Sequence, residues 1–353
     1  MSENLFLTMA RHGLRMPIGA DLLLHESSDP EACKHDAQLL AAVVEAAAHR
    51  YRTPFAFPLM DLTLEKADLL HFFNVSEAQA ALFHFSEAPS LQVVSEVLAA
   101  SNRPFPLRVE ANQNAIRYIA GRTGLLPVGM LIGPFSLMTK LVADPIVPVA
   151  MAGNGATAAD EPSVRLVESC MALAEATVQR SAEAQITAGA RAMIVCEPAA
   201  NIVYLSPRQL RAGSNIFERF VLAPNRRLRA LLEQHSVDLI FHDCGELTSD
   251  MVQQFARELR PAVLSLGSSR KLWEDAAVVP ADVVLFGNLP TKLFYSDAAM
   301  PIEEVLRLTR ETVQRMVASG HPHILGSECD VLHVPGAGDT IRRKVDAMLS
   351  CEC

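Results

Sequence analysis

Short apolar runs alternate along this chain with longer stretches in which apolar residues recur at helical spacing. Runs of the first kind predict strands, and the helical stretches predict amphipathic helices. The predicted strands are Pro54–Asp61, Val128–Pro134, Ala192–Pro198, Asp238–Cys244, Ala262–Gly267, Asp282–Asn288 and His323–Cys329, with Pro17–Leu24 as a further candidate. The predicted helices are Glu31–Tyr51, Glu161–Gly189, Asn215–His235, Leu247–Leu259 and Glu303–Gly320.

Continuous apolar strands separated by helices are typical of a parallel sheet that is covered on both faces. About eight such runs favour closure into a barrel. We therefore expect a (β/α)8 TIM barrel with an N-terminal helical extension, forming a single domain over residues 1–353; an open doubly wound sheet is the alternative. The proline-rich segment Ala143–Pro162 is interpreted as a loop over the barrel mouth or as an oligomer contact.

Composition excludes several classes of protein. A net charge of −9 argues against a nucleic-acid-binding protein, which needs a basic face to neutralise phosphates. No stretch approaches the roughly 20 apolar residues that a membrane-spanning helix requires, and the first residues lack the apolar core of a signal peptide. We therefore expect a cytoplasmic protein, whose seven cysteines are reduced and act as core residues, reactive groups or metal ligands.

The predicted strands end in polar residues that carry chemistry, and strand carboxyl ends form the active-site face of an α/β barrel. His242 and Cys244 lie two residues apart at one such end and therefore share a face. Cys329 ends the last predicted strand. One imidazole and two thiolates with an open fourth position predict a catalytic zinc site. A buried cysteine beside a hydrogen-bonded histidine is the alternative for the first pair.

Glu197, at the end of a neighbouring predicted strand, is the candidate for a fourth zinc ligand or catalytic carboxylate. A carboxylate that is hydrogen-bonded at the barrel rim is the alternative interpretation. Cys33, Cys170 and Cys196 are interpreted as small core residues. We interpret Cys351 and Cys353, a C-x-C tail, as part of a frayed terminus rather than as a metal site.

Six segments, in order along most of the chain, resemble the uroporphyrinogen decarboxylase superfamily. The resemblance is to its cobalamin-dependent branch, such as the methylcobamide:coenzyme M methyltransferases. The matching segments are FPLMDLTLEKADLL from residue 57, GMLIGPFSLMTKL from 129, the EP and LSP pair within 197–207, IFHDCG from 240, LFGNLPTKLF from 285 and ILGSECDV from 324.

This resemblance implies a TIM barrel that holds zinc through His242, Cys244 and Cys329. It further implies transfer of a methyl group from methylcobalamin, bound to a separate corrinoid protein, to a small-molecule thiol or folate-like acceptor. Asp61 and Glu65 are candidates for orienting the acceptor, with structural roles as the alternative. A homodimer is a further possibility. The chain departs from the pattern in two places, at Glu197, where many relatives have aspartate, and at Glu328, where many have glycine.

Two other functions stay open from the sequence. One is a metal-independent decarboxylase, whose arginine-rich amino-terminal motif has only Arg11 and Arg15 as counterparts here. The other is a non-catalytic partner of a corrinoid protein, which would bind zinc or that protein without turnover. The H-x-C pair and the distant cysteine favour the methyltransferase over the decarboxylase, and nothing in the sequence separates it from the third function.

Overall fold

Eight strands within the described residues form one sheet in which every ladder is parallel. The computed structural model describes residues 4–99 and 103–352. The strands lie in chain order, and β1 is also paired with β8. They are β1 Arg15–Ile18, β2 Phe55–Ala56, β3 Leu126–Ile132, β4 Ala192–Cys196, β5 Asp238–Asp243, β6 Val263–Leu266, β7 Val284–Phe286 and β8 His323–Asp330.

Helices fill the connections between these strands. They are α1 Leu5–Arg11, α2 Asp21–Leu24, α3 Pro30–His35, α4 Ala37–Arg50, α5 Leu64–Phe72, α6 Glu77–Ala80, α7 Leu91–Ala99, α8 Leu107–Arg122, α9 Pro134–Leu141, α10 Ile146–Gly153, α11 Pro162–Ala188, α12 Pro207–Arg211, α13 Ala223–Gln234, α14 Ser249–Gln254, α15 Leu272–Asp275, α16 Ile302–Ser319 and α17 Gly338–Ser350. Wider π-helical turns, Glu218–Leu222 and Phe255–Leu259, precede α13 and follow α14, and a 3₁₀ turn spans Thr291–Leu293. Within the described residues, no helix combines the length and the apolar character that crossing a bilayer requires.

The interior of the curled sheet is a core of its own. Side chains from all eight strands meet there, among them Met16, Phe55, Ile194 and Ile324. An open sheet would keep its edge strands apart, so this meeting indicates the arrangement of a TIM barrel. Between β1 and β2 no ladder is formed within the described part of the chain, and the hydrogen-bonded sheet has its two ends there. The outward faces of the strands pack against the helices in a second, larger core.

The amino-terminal part of the chain differs from the prediction. The first strand is Arg15–Ile18, and residues 21–24 of the predicted Pro17–Leu24 strand are helical. The predicted helix Glu31–Tyr51 is two helices, because Asp36 ends α3 and its carboxylate accepts the Gln38 and Leu39 amide hydrogens at the start of α4. Both helices follow β1 and belong to the first β/α connection. The N-terminal helical extension is therefore not confirmed, and among the described residues α1 is the one helix before the first strand.

The connection between β3 and β4 contains a helix where its prolines had predicted a loop. The segment Ala143–Pro162, predicted as a loop, contains the helix α10. Pro148 lies in the first turn of α10 and Pro162 is the first residue of α11. Proline is tolerated at both places because the amide groups of a first helical turn have no partner within the helix. Only the residues flanking α10 form the expected loop.

The carboxyl terminus is held rather than frayed up to Cys351. The Cys351 side chain is buried, and the Arg15 guanidinium donates a hydrogen bond to the Cys351 carbonyl. Cys353, the other cysteine of the C-x-C tail, lies outside the described residues. The predicted frayed terminus is therefore wrong for Cys351.

Phe6 of α1 should contribute strongly to stability. Its ring is 2% exposed, joins the interior core and stacks on Phe55 at 4.6 Å between centroids. Phe6→Ala leaves a cavity that the surrounding strands cannot close, so we expect the free energy of unfolding to fall by about 3–5 kcal/mol. Urea denaturation measures the loss, and Leu82→Ala, at a residue 85% exposed, is the control that should change little. An equal effect of the two substitutions would contradict this account of the interior.

Candidate metal centre

His242 and Cys244 reach the barrel mouth on the inward face of β5. Alternation along this strand puts Ile240 in the interior core and Phe241 in the outer core. His242 therefore points inward, Asp243 points toward the helices, and Cys244 follows inward at the end of the strand. The His242 side chain is almost fully buried, at 1% exposure, whereas Cys244 is half-buried.

Cys329 comes to the same place from β8. The β1–β8 ladder is irregular there, since Met16 pairs with Gly326 and Ile18 pairs with Asp330. Two residues of β1 thus advance while β8 advances four, and irregularities of this kind re-aim side chains at functional sites. Glu328, the residue before Cys329, is hydrogen-bonded to the connections that follow β6 and β7. Its carboxylate accepts hydrogen bonds from the Ser268 hydroxyl at 2.6 Å and from the Lys292 amide at 3.4 Å.

The three side chains predicted as zinc ligands come together. One ligand atom from each of His242, Cys244 and Cys329 lies within 4.8 Å of the others. In the sheet, β5 and β8 are separated by β6 and β7, which in a flat sheet would place them roughly 14 Å apart at the usual strand spacing. The curl of the sheet removes this separation and joins residues that are distant in sequence.

The His242 ring is oriented as a metal ligand would be. Its Nδ1 atom lies 2.9 Å from the Ser265 hydroxyl, and its Nε2 atom is buried without a hydrogen-bond partner in the described structure. A buried nitrogen without a partner is costly unless something occupies its lone pair. Two sulfur atoms and one imidazole nitrogen form a donor set that zinc prefers, so the residues present fit this ion.

Charge around the two thiols favours thiolate on one of them. The hydrogen bond from Cys244, helped by the positive charge of Lys292, lowers the pKa of the Cys329 thiol. Donating that hydrogen bond and being buried raise the pKa of Cys244 to about 12. The pair therefore loses its first proton from Cys329 and keeps the second on Cys244.

Glu197 lies elsewhere. The alternation along β4 that turns Cys196 into the interior core turns Glu197 outward toward the helices. The carboxylate there accepts hydrogen bonds from the Phe135 and Ser136 amides at 3.1 and 2.8 Å and from Asn225 at 2.8 Å. Burial, which outweighs these hydrogen bonds, raises the pKa of Glu197. The structure does not bring Glu197 to the three ligands, and its contacts are those of the rim carboxylate considered as the alternative.

Asp61 and Glu65 follow β2, and their carboxylates contact different partners. Asp61 accepts hydrogen bonds from the Thr63 amide and hydroxyl and forms an ion pair with Arg108. Glu65 is buried on α5 and accepts a hydrogen bond from the Ser181 hydroxyl at 2.9 Å. Burial raises the pKa of Glu65 to about 7. Both side chains are thus engaged by the protein, and neither is part of the group formed by the three predicted ligands.

Comparison with known proteins agrees with this architecture. A model of the family described as uroporphyrinogen decarboxylase (URO-D) matches residues 23–347. The chain belongs to the uroporphyrinogen decarboxylase family. Among solved structures, a methyltransferase from Methanosarcina mazei matches with a TM-score of 0.68 at 15% sequence identity, over 98% of this chain and 97% of that one. None of the curated proteins compared with the chain matches it.

Membership of the family confirms the resemblance inferred from the six sequence segments. At 15% identity the Methanosarcina mazei structure establishes the shared fold and no more. Two residues beside the ligands escaped the sequence analysis, namely Ser265 and Lys292, and Glu328 was noted only as a departure from the family pattern. Ser265 left a readable signal, because it is the one polar residue in the otherwise apolar strand β6. Lys292 left none, and the contacts of Glu328 could not be predicted, since both depend on how the connections after β6 and β7 fold over the end of β8.

Stability should depend on pH through Glu65. Its pKa is about 7 in the folded protein and about 4.5 when unfolded, so the folded state keeps a proton that the unfolded state loses between these values. Stability therefore falls as pH rises from 4.5 to 7, by about 3 kcal/mol for this group.

Glu65→Gln carries a neutral side chain at every pH and should remove this contribution. Urea denaturation of both proteins at pH 5 and pH 7 measures it as the difference between their two pH dependences. Glu77→Gln, on the half-exposed pair with Arg108, is the control. An identical pH dependence in wild type and Glu65→Gln would show that the Glu65 carboxyl titrates normally.

Proposed function

We propose that the chain is a zinc-dependent methyltransferase that acts between a methylated corrinoid and a thiol or folate-like acceptor. With a thiol, a bond forms between sulfur and the methyl carbon. The carbon–cobalt bond breaks with its electron pair remaining on cobalt, and the thiol proton passes to solvent. The methylated corrinoid is a substrate that a separate corrinoid protein brings to the barrel mouth.

The observation that carries this proposal is the group of His242, Cys244 and Cys329 at the strand carboxyl ends, with the Nε2 atom of His242 unpartnered. Three protein ligands leave one position of a tetrahedral ion for a substrate, as in catalytic rather than structural sites. Zinc held there would bind the acceptor sulfur and lower the pKa of its thiol, so that a thiolate is present at neutral pH.

The chain's own residues prepare this position. Cys244 and Cys329 supply the negative charge that keeps a bound sulfur electron-rich, and Lys292 offsets part of that charge from the connection after β7. Glu328 fixes the backbone next to Cys329 through Ser268. Asp61, beside the mouth, is proposed to orient the acceptor, and Glu197 is proposed to fix the start of α9 through the Phe135 and Ser136 amides.

Placement of the two amino-terminal arginines, Arg11 and Arg15, favours methyl transfer over decarboxylation of a porphyrin. A decarboxylase needs cationic side chains around its substrate's carboxylates at the barrel mouth. Arg15 begins β1, at the opposite end of the barrel, and donates hydrogen bonds to carbonyls near the carboxyl terminus. Arg11 ends α1, before β1. The family relationship alone is compatible with methyl transfer and with decarboxylation. The name of the Methanosarcina mazei structure, a methyltransferase, supports methyl transfer.

The surface around the mouth suits a protein partner. In the part of the chain that the structure describes, every exposed large apolar side chain except Val317 lies in a connection that follows a strand, before a helix or in its first turn. They are Leu39, Leu82, Leu107, Ile146, Val147, Val203, Leu293, Tyr295 and Leu332. Strand-to-helix connections lie at the carboxyl end of an α/β barrel, so these side chains fall on that end, where exposed apolar surface supports an interaction site. We assign this mouth surface, defined by those nine residues, to the corrinoid protein.

Cys244→Ser and Cys329→Ser should each lose zinc while remaining folded, because a hydroxyl is a far weaker zinc ligand than a thiolate. Elemental analysis of chelator-washed protein should find about one zinc per wild-type chain and little in either variant. Cys170→Ser, at a buried cysteine of the outer core, is the control that should keep its zinc. Full zinc occupancy in both ligand variants would refute the site.

Purified protein should demethylate methylcobalamin only when an acceptor is present. Absorbance reports loss of the methyl group, and mass spectrometry of a panel of small thiols reports methylated product. Cys329→Ser should give at least a hundredfold lower rate, since the acceptor sulfur is then not activated. Absence of turnover with every thiol and folate-like acceptor, in a zinc-loaded protein, would favour a non-catalytic partner of a corrinoid protein.

A further inference from the structure

Ser265 is an isolated hydroxyl in the apolar interior of the barrel. It lies on β6 directly beside His242 in the β5–β6 ladder, and its side chain is fully buried. The cavity wall around it is otherwise apolar, with Ile240, Val263 and Phe286 as neighbours. Its Oγ atom is 2.9 Å from Nδ1 of His242. A buried hydroxyl needs a hydrogen-bond partner, and the His242 imidazole provides one.

The two nitrogens of this imidazole are not equivalent. A neutral histidine carries its hydrogen on one nitrogen and a lone pair on the other, and the hydrogen bond made by one nitrogen decides which is which. When Nδ1 carries the hydrogen and donates it to Ser265, the lone pair lies on Nε2. This is the nitrogen that has no other partner in the described structure.

We propose that Ser265 is a positioning residue for the metal centre. Its hydroxyl accepts the Nδ1 hydrogen of His242, which fixes both the tautomer and the rotation of the ring and keeps the Nε2 lone pair available for zinc beside Cys244 and Cys329. This inference rests on the proposed zinc site and adds a residue that touches neither metal nor substrate. Partners of this kind typically contribute 10- to 100-fold to metal affinity, so about that loss is expected without the hydroxyl.

Ser265 also fills space, and the test must separate packing from the hydrogen bond. Ser265→Thr and Ser265→Val have nearly the same shape and differ in the presence of a hydroxyl. Ser265→Ala removes the hydroxyl without adding volume, so it serves where the larger side chains do not fit. The dissociation constant for zinc, measured by competition with a chromophoric chelator, should rise about 10- to 100-fold in the valine and alanine variants. In the threonine variant it should stay within about threefold of wild type, well below the 10- to 100-fold loss.

A second measurement observes the tautomer itself. In metal-free protein with ¹⁵N-labelled histidine, the two nitrogen shifts of His242 should indicate a hydrogen on Nδ1 in wild type and in Ser265→Thr. The alanine and valine variants should give a mixture of the two tautomers. Equal zinc affinity and an unchanged tautomer in Ser265→Ala would overturn the proposal.

Failure of this inference differs from failure of the proposed zinc site. If Cys244→Ser and Cys329→Ser lose zinc while Ser265→Ala binds it as tightly as wild type, the site stands and only the role of Ser265 falls. If the cysteine variants retain zinc, the site itself is wrong, and the role of Ser265 falls with it. Urea denaturation of the metal-free variants checks that they are folded, and a common unfolding midpoint for the threonine and valine variants excludes packing as the cause of a difference between them.

Discussion

The curl of the parallel sheet is the constraint on which the remaining arrangement depends. The sheet runs from β2 through β8 to β1, and its curl brings inward side chains of all eight strands into one interior core. Without this curl β8 would lie three strands away from β5, and Cys329 could not approach His242 and Cys244. The ladder between β1 and β8 carries the irregularity that spans Cys329. The curl that forms the interior core therefore also assembles the candidate metal centre.

Strand alternation explains both what the sequence predicted correctly and what it did not. Period two along β5 placed His242 and Cys244 on one face, and the structure confirms this. The same rule applied to β4 puts Cys196 inward and Glu197 outward, yet the sequence analysis took Glu197 as a candidate ligand because it ends a strand. A residue at a strand end is therefore a candidate ligand only if strand alternation also points its side chain into the barrel.

Other features could not be predicted because they depend on contacts between connections. The order and number of strands followed from the apolar runs, whereas β2 is only two residues long, since the chain after Ala56 turns into the loop that carries Asp61. The helix α10 escaped because Pro148 was taken as a loop signal although a first helical turn accepts it. Ser265 became interpretable only when the β5–β6 register placed it beside His242.

The two ends of this barrel differ in polarity and in function. Phe6 and the apolar side chains of the strands fill the interior from the amino end, and this packing stabilises the fold. At the carboxyl end, polar side chains replace apolar ones, and the neighbouring connections expose Leu293, Tyr295 and Leu332. Substitutions at the mouth can therefore change chemistry and partners without touching the packed interior.

The two thiols of the candidate centre come from strands that are far apart along the chain, and this spacing has a thermodynamic consequence. An ion held between Cys244 and Cys329 would act as a reversible crosslink across the barrel, closing a long loop that includes β6, β7 and α16. Because the unfolded chain cannot offer the same ligands together, the free energy of binding would add to the free energy of folding. The availability of the metal ion would then determine the stability of the folded protein as well as its catalytic activity.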